Sequence, residues 1–326
     1  MSVSGLDNTK VSFIVAAYNV DPFIKQAVDS ALDQRGLEVE VIVVNDCSSD
    51  RTAEIVAEMA KFDSRIVLIN NASQQGPSRS RNIAVSHASG DWLAILDGDD
   101  FIEPQRCMRL VKLATEFGAD LIADDINRIF LQETVNRHSR LQDQPREEFT
   151  YLINPQMYID HNCLYTSRKN LGYLKPMFRA QFLRDNAIRY DEAVRIGEDF
   201  LICLACLLRS ARFVVSSEKM YNYRVRTGSL SWRLSAADIG QLKDSFLKVV
   251  DASARPESSG EVMRARDEYI KSLDTAMLYT LIIENLKKGR VAAAAAMALG
   301  HPDVYPIMLD LFYVRLARSF RKVWKS

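Results

Sequence analysis

The sequence predicts an α/β fold: a mostly parallel sheet flanked by helices, with a helical region at the C-terminal end. Short β-branched apolar runs alternate with segments of helical periodicity across short connections, and polar residues gather where those runs end. Beyond Leu234 only helical periodicity remains, which sets the start of the helical region.

In chain order, residues 11–16 form a first apolar strand. Asp21 and Pro22 offer an N-cap and a first-turn proline for a helix whose Ile24, Ala27, Val28, Ala31 and Leu32 share one face. Residues 39–44, rich in valine, are the second strand. Asp50 caps a second helix with an apolar stripe of Ile55, Val56, Met59 and Ala60. Residues 66–69 are a third strand, Pro77 opens a third helix ending near His87, residues 92–96 are a fourth strand, and Pro104 opens the next helix. Repeated β-α-β units of this kind make a parallel sheet, whose ligands bind beyond the carboxyl ends of the strands. Three strand ends carry suitable polar residues: Tyr18-Asn19, Asn45-Asp46 and Asp97-Gly98-Asp99-Asp100.

Composition narrows the function classes. With 326 residues and 48% hydrophobic content the chain can bury a large core. Lys+Arg and Asp+Glu both number 42, so net charge gives no support for a nucleic-acid partner. Five cysteines without framework spacing fit a reducing compartment, and Cys203-x-x-Cys206 lies in an apolar run, as helix core does. The first ten residues are polar, and no apolar stretch approaches the ~20 residues that span a bilayer, which predicts a cytoplasmic location. Neither Gly-x-Gly-x-x-Gly nor a P-loop is present, which removes most of the case for hydride transfer and ATP hydrolysis.

The acidic turn after the fourth strand organises the rest. Three carboxylates packed at one strand end repel one another unless a cation is near. Gly98 permits close backbone approach, and Asp97 and Asp99 can turn toward one point. Hard oxygen donors suit Mg²⁺ or Mn²⁺, with phosphate oxygens completing the shell. A solvated acidic turn is the alternative for an isolated Asp-x-Asp. Asp46, just past the second strand, can accept a base N–H or serve as a turn former.

Four ordered motifs in the first 105 or so residues resemble an inverting family 2 glycosyltransferase of the GT-A, nucleotide-diphospho-sugar transferase, fold. Residues 11–19 resemble that family's opening strand and nucleotide-contacting turn, and residues 43–52 resemble its Val-Asp-Asp-Gly-Ser-Thr-Asp-Gly-Thr. Gly76-Pro77-Ser78-Arg79-Ser80-Arg81-Asn82 resembles Gly-x-Ser-x-Ala-Arg-Asn, and Asp97-Gly98-Asp99 is the Asp-x-Asp site. The resemblance implies that Ala17, Tyr18, Asn19, Asp46, Arg81, Asp97 and Gly98 bind the nucleotide sugar, with Asp46 at uracil and Asp97 near the ribose. It implies Asp99, with Asp97, as ligand of Mg²⁺ or Mn²⁺. Asn45 stands where the family has aspartate and Cys47 where it has glycine. Arg79 and Arg81 either reach diphosphate or form solvated salt bridges.

The second half carries a weaker pattern. Residues 120–130 read as strand, interrupted at Asp124-Asp125; residues 131–145 are a polar, charged loop; residues 213–216 are a late strand. Gly197-Glu198-Asp199 resembles the family's acidic pair at a helix start, where Asp199 is the general base and Glu198 its neighbour; ordinary helix-dipole stabilisation is the alternative. Residues 221–231 resemble the closing Tyr-x-x-Arg-x-x-Gly-Ser-x-Ser, in which Arg224 and Arg226 either meet diphosphate or acceptor phosphate or protect a strand edge. The implied organisation is a nucleotide-sugar half over 1–124, an acceptor and base half over 125–235, and helices over 236–326.

The resemblance implies transfer of a hexose, glucose foremost, from a UDP-sugar to a saccharide acceptor that is lipid-linked, with inversion to a β-glycoside, in exopolysaccharide or surface polysaccharide assembly of the succinoglycan type. A nucleotidyltransferase and a non-catalytic nucleotide-sugar scaffold are the rival classes. Near the C-terminus, Leu309, Leu311, Phe312, Val314, Leu316, Phe320, Val323 and Trp324 alternate with Arg315, Arg318, Arg321, Lys322 and Lys325. On a helix this pattern fits peripheral contact with an anionic membrane on the cytoplasmic side, or a helix packed on the body with a basic outer face.

Overall fold

The computed structural model describes residues 9–130, 149–166, 170–225, 234–252, 260–306 and 308–309. The sheet begins with the valine-rich strands. β1 (Lys10–Ala17), β2 (Glu38–Asn45), β3 (Ile66–Asn70) and β4 (Trp92–Ile95) pair in parallel in the order β3-β2-β1-β4. β1 and β2 are buried on both faces, which is why they read as continuous apolar runs.

Beyond β4 the sheet is mixed. β8 (Met177–Arg179) inserts antiparallel between β4 and β6 (Leu121–Phe130). β9 (Phe213–Val225) runs parallel to β6 and antiparallel to β5 (Phe101–Ile102) and β7 (Thr150–Ile153). The sheet is mixed, with most of its paired residues in the parallel ladders of β1 to β4 and of β6 with β9, as the mostly parallel sheet of the sequence reading expects. Three residues of β8 are too few to show a period. The interruption expected at Asp124-Asp125 is a register break against β9. The late strand expected over 213–216 continues through the 221–225 segment as one strand.

Residue parity sorts the core into two layers. Phe13, Val15, Val41, Val43 and Ala94 pack toward α1 (Ile24–Leu32), α2 (Thr52–Phe62) and α4 (Arg106–Phe117). Ile14, Ile42, Val44, Leu93 and Ile95 pack toward the opposite side, with α3 (Pro77–His87), α5 (Pro155–Asp160), α6 (Ala180–Asp185) and α7 (Glu198–Leu207). α8 (Ala236–Asp251) and the first half of α9 (Gly260–Lys287) extend that second layer. α10 (Val291–Gly300) packs on the far half of α9 around Ile282, Ala294 and Val304.

The helix starts follow local chemistry. Arg51, and not the expected Asp50, is the N-cap of α2 and gives no side-chain cap; Asp50 lies one residue before it, its Oδ1 accepting the Thr52 N–H at 3.0 Å and its Oδ2 the Asp21 N–H at 3.0 Å. Asp21 therefore enters by its backbone, and α1 begins without a side-chain cap. Pro104 lies in the turn before α4, two residues ahead of the first helical one.

Glu40 ties β2 to β1 and to the turn before β4, at the end of the parallel strands away from the 97–100 turn. It accepts hydrogen bonds from Ser12 Oγ at 2.6 Å and Ser89 N–H at 2.7 Å, and pairs with Lys10 Nζ at 2.8 Å. Burial raises its carboxyl, but these donors outweigh burial and bring it from 4.5 down to about 2. A depressed carboxyl stabilises the fold above its unfolded value and loses that contribution as pH falls through the folded one. Glu40→Gln is therefore expected to melt below the native chain near neutral pH. The gap, read by thermal unfolding, narrows as pH drops from 4.5 toward about 2; a gap that widens there contradicts this account.

Candidate active site

The turn 97–100 leaves β4 at the carboxyl ends of β1, β2 and β4. Gly98 lets the turn lie close on Val20 and the start of α1: a Cβ there would sit 3.1 Å from Val20 Cγ2 and 3.3 Å from Ile24 Cδ1, so those side chains would have to give by a few tenths of an ångström. Asp97 has Oδ1 2.8 Å from Arg81 Nη2 and Oδ2 2.7 Å from Lys175 Nζ. Burial alone would raise this carboxyl, yet Lys175 and Arg81 hold it well below the usual range.

Both cations reach on to the start of α7. Arg81 Nη1 lies 2.7 Å from Glu198 Oε1 and 3.5 Å from Asp199 Oδ1. Lys175 Nζ donates to Asp199 Oδ2 at 2.6 Å. Tyr190 turns its hydroxyl to Asp199 Oδ1 at 3.4 Å and its ring face to Arg81 at 5.5 Å. Three carboxylates and two cations thus join the strand-end turn to the Glu-Asp helix start, and both cationic side chains are under 10% exposed. Burial and Asp199 push the Glu198 carboxyl above its ordinary range despite Arg81.

α3 explains how two distant segments meet. Ser78, Arg81 and Asn82 are at i, i+3 and i+4, and all three are buried. Ser78 Oγ donates to the Val194 carbonyl at 2.8 Å. Asn82 donates to the Tyr190 carbonyl and accepts the Tyr190 N–H, both at 3.0 Å. The face of α3 is polar because it grips the segment leading to Glu198. Arg79, on the exposed side, is 3.9 Å from Glu192.

The last acid of the turn is structural. Asp100 is fully buried, accepting the Tyr221 hydroxyl at 2.9 Å and the Arg224 N–H at 2.8 Å. Burial, with Asp97 and Asp99 beside it, pushes its carboxyl well above the usual range. Arg224 does not reach out from the strand. Its guanidinium bonds the Asp99 carbonyl at 2.5 Å and Gln26, between the rings of Phe23 and Phe101. Arg226 lies outside the described residues.

At the carboxyl ends of β1 and β2, the Asp46 N–H bonds the Ala17 carbonyl at 2.8 Å, while the Asn19 side chain accepts the Ser49 N–H at 2.9 Å; Tyr18 is exposed beside them. The Asp46 carboxylate accepts Asn71 Nδ2 at 2.8 Å and the N–H groups of Gln75 at 2.7 Å and Gly76 at 2.8 Å. Of the roughly four lone-pair positions of a carboxylate, three are used. Asp46 therefore anchors the loop into α3, where Gly76 takes φ 87°. Cys47 has φ 59°, the left-handed region, which accounts for glycine being the family's residue there. Asn45 donates its amide to Asn70 Oδ1 at 2.9 Å, a bond that an ionised aspartate could not make.

Lys175 and Tyr190 were not singled out from sequence. Lys175 sits alone before β8, and only the ring of partners in space marks it. Among the described residues no group of three or more His, Cys, Asp or Glu side chains is arranged to hold a metal by itself. Asp97 directs its two oxygens at Arg81 and Lys175. Asp99 is half-buried beyond Gly98, and its carboxylate is the hard donor type that a divalent cation takes.

Residues 12–181 match glycosyl transferase family 2. The chain belongs to that family. Its relatives include the succinoglycan biosynthesis protein ExoO of Rhizobium meliloti, 33% identical over 90% of this chain and 82% of that protein. Solved structures of like fold include residues 1–349 of S. aureus TarS in complex with UDP-GlcNAc, with 19% identity, 88% of each chain covered and a TM-score of 0.59. Another is the mannosyltransferase PcManGT of Pyrobaculum calidifontis in complex with GDP-Man and Mn²⁺, with 16% identity, 98% and 88% covered and a TM-score of 0.58. The fold is that of the GT-A transferases, and the family assignment sets aside the nucleotidyltransferase alternative.

Proposed function

We propose that this glycosyltransferase moves a hexose, glucose foremost, from a UDP-sugar to a lipid-linked saccharide, with inversion to a β-glycoside, in exopolysaccharide assembly. The observation that carries this reading is the ion-pair network joining Asp97 at the nucleotide end of the sheet to Glu198 and Asp199 on α7. A donor seated over the turn puts its anomeric carbon beside an acceptor-side carboxylate. The naming of ExoO for succinoglycan biosynthesis supports the polymer class, and the UDP-GlcNAc of the TarS structure supports a UDP-sugar. The lone-pair position left on Asp46 suits a uracil N–H, and Ala17, Tyr18 and Asn19 flank it. Incubation with UDP-glucose, Mn²⁺ and a lipid extract, read as UDP release and acceptor mass, tests the reading; no release with any UDP-sugar would favour a non-catalytic scaffold.

Asp199 acts as the base. The acceptor oxygen bonds to the anomeric carbon, its proton passes to Asp199, and the carbon–oxygen bond to diphosphate breaks with its electron pair leaving on the diphosphate. Asp199→Asn is expected to lower kcat by about 10²–10⁴-fold with donor affinity little changed, and Glu198→Gln to lower it less and raise the acceptor KM. Steady-state kinetics at saturating donor check this; the reverse ranking moves the base to Glu198.

A Mg²⁺ or Mn²⁺ held by Asp99 would neutralise charge on the departing diphosphate. Arg81 and Lys175 contribute fixed positive charge beside the same turn. Asp99→Asn is expected to keep the fold and lose nearly all transfer, since a neutral amide is a poor ligand for a hard cation. Near-native turnover of that variant in EDTA would remove the metal from the reading.

The enzyme also works against the membrane. Of the basic and apolar series near the C-terminus, Leu309 is described and exposed, and residues 310–326 lie outside the described residues. No helix among the described residues is long and apolar enough to cross a membrane. Peripheral, salt-sensitive binding is expected in flotation with anionic liposomes, and a chain truncated after Tyr305 that floats equally well would refute this segment as the anchor.

A further inference from the structure

We propose that Lys175 is a positioning residue of the transfer reaction: it holds Asp199 by Oδ2, so that Oδ1 alone is presented to the acceptor hydroxyl. The inference rests on the reading of Asp199 as base and adds which oxygen takes the proton and what fixes it.

The two oxygens of Asp199 differ. Oδ2 is 2.6 Å from Lys175 Nζ, a short charge-assisted contact. Oδ1 has only longer neighbours, Tyr190 Oη at 3.4 Å and Arg81 Nη1 at 3.5 Å. Hydroxyl donors normally come within about 3.0 Å, so Oδ1 keeps the capacity to accept a proton.

Charge balance supports the same assignment. When Asp199 takes the acceptor's proton, a buried ammonium paired to it alone would lose its counter-charge, an arrangement that is costly in a dry site. Lys175 is spared this because Asp97 Oδ2 lies 2.7 Å from the same Nζ. One cation thus remains compensated before and after the proton moves. The lysine is itself held: Arg106 Nη2 donates to the Lys175 carbonyl at 2.6 Å. Arg106 is fully buried, pairs with Asp124 at 2.8 Å and stacks on Tyr221 at 5.3 Å. Tyr221 bonds the Asp97 N–H at 3.1 Å, so one scaffold sets both the lysine backbone and the acidic turn.

The test is a double-mutant cycle on the full chain with UDP-glucose, Mn²⁺ and a lipid extract as acceptor, together with UDP affinity by calorimetry. Lys175→Met is expected to lower kcat by about 10²-fold, the scale of a misplaced catalytic group, with a smaller loss of UDP affinity from the positive charge removed beside Asp97. Added to Asp199→Asn it is expected to lower kcat no further, because both changes act through one carboxylate. A native kcat for Lys175→Met, effects that multiply in the double variant, or a parallel loss of UDP affinity would overturn the proposal. Should Lys175→Met not fold, the double variant, which removes cation and anion together, is compared with Asp199→Asn alone: equal rates support the proposal and a further drop overturns it. Absence of transfer by the native chain with every UDP-sugar would instead overturn the functional reading.

Discussion

The structure turns on neutralising the negative charge gathered where β4 ends. Asp97, Asp99 and Asp100 leave one strand within four residues, and the fold brings Glu198 and Asp199 to the same place. Unpaired charges so close would cost several kcal/mol each in a dry environment. The protein answers with three cations from three separate elements: Arg81 from α3, Lys175 from the segment before β8, and Arg224 from β9. Each ties a different part of the chain to the turn. The acidic turn is thereby a junction on which the second half is registered.

That dependence explains what was legible in the sequence. Elements defined by local signals came through: β1 to β4 from their β-branched runs, α3 from the proline at its first position, and the break in β6 from its paired aspartates. Asp97, Asp199 and Arg81 were also legible as a set, because their motifs are ordered along the chain. Features defined by long-range partners were not. β8 has three residues, and nothing local distinguishes Lys175 from a surface lysine. The burial of Arg106 and Asp124 follows only from β6 and β9 pairing over the C-terminal side of the sheet. Arg224 was noticed for its charge, but its use as a clamp depends on two phenyl rings far apart in sequence.

Two departures from the family pattern acquire physical reasons. Cys47 accepts a left-handed backbone that glycine would take without strain, at a cost on the order of 1 kcal/mol. Asn45 gains an amide bond to Asn70 across β2 and β3, tightening the neighbouring strand at the point where the chain turns toward Asp46. Asp46 in turn holds the loop whose end starts α3, and α3 carries Arg81. The loop after β2 and the start of α7 are therefore linked through hydrogen bonds and ion pairs carried by α3.

The helix that carries Glu198 and Asp199 shows how the C-terminal region supports the ion-pair network. From Asp199 to Leu207 every residue of α7 is buried, so no face of it can meet water. A helix apolar on all sides is stable only when covered all round. The cover comes from α5 on one side and from α8 and α9 on the other. Phe200, the residue after Asp199, packs its ring against Tyr158 at 5.4 Å, Tyr269 at 5.1 Å and Phe246 at 6.2 Å. Such a cluster adds aromatic contact to a large buried area and leaves the ring few alternative positions. Asp199 is thus held at its side chain by Lys175 and one residue later by helices that bear no catalytic motif. Loosening α8 or α9 would move Asp199 without touching any other residue of the ion-pair network.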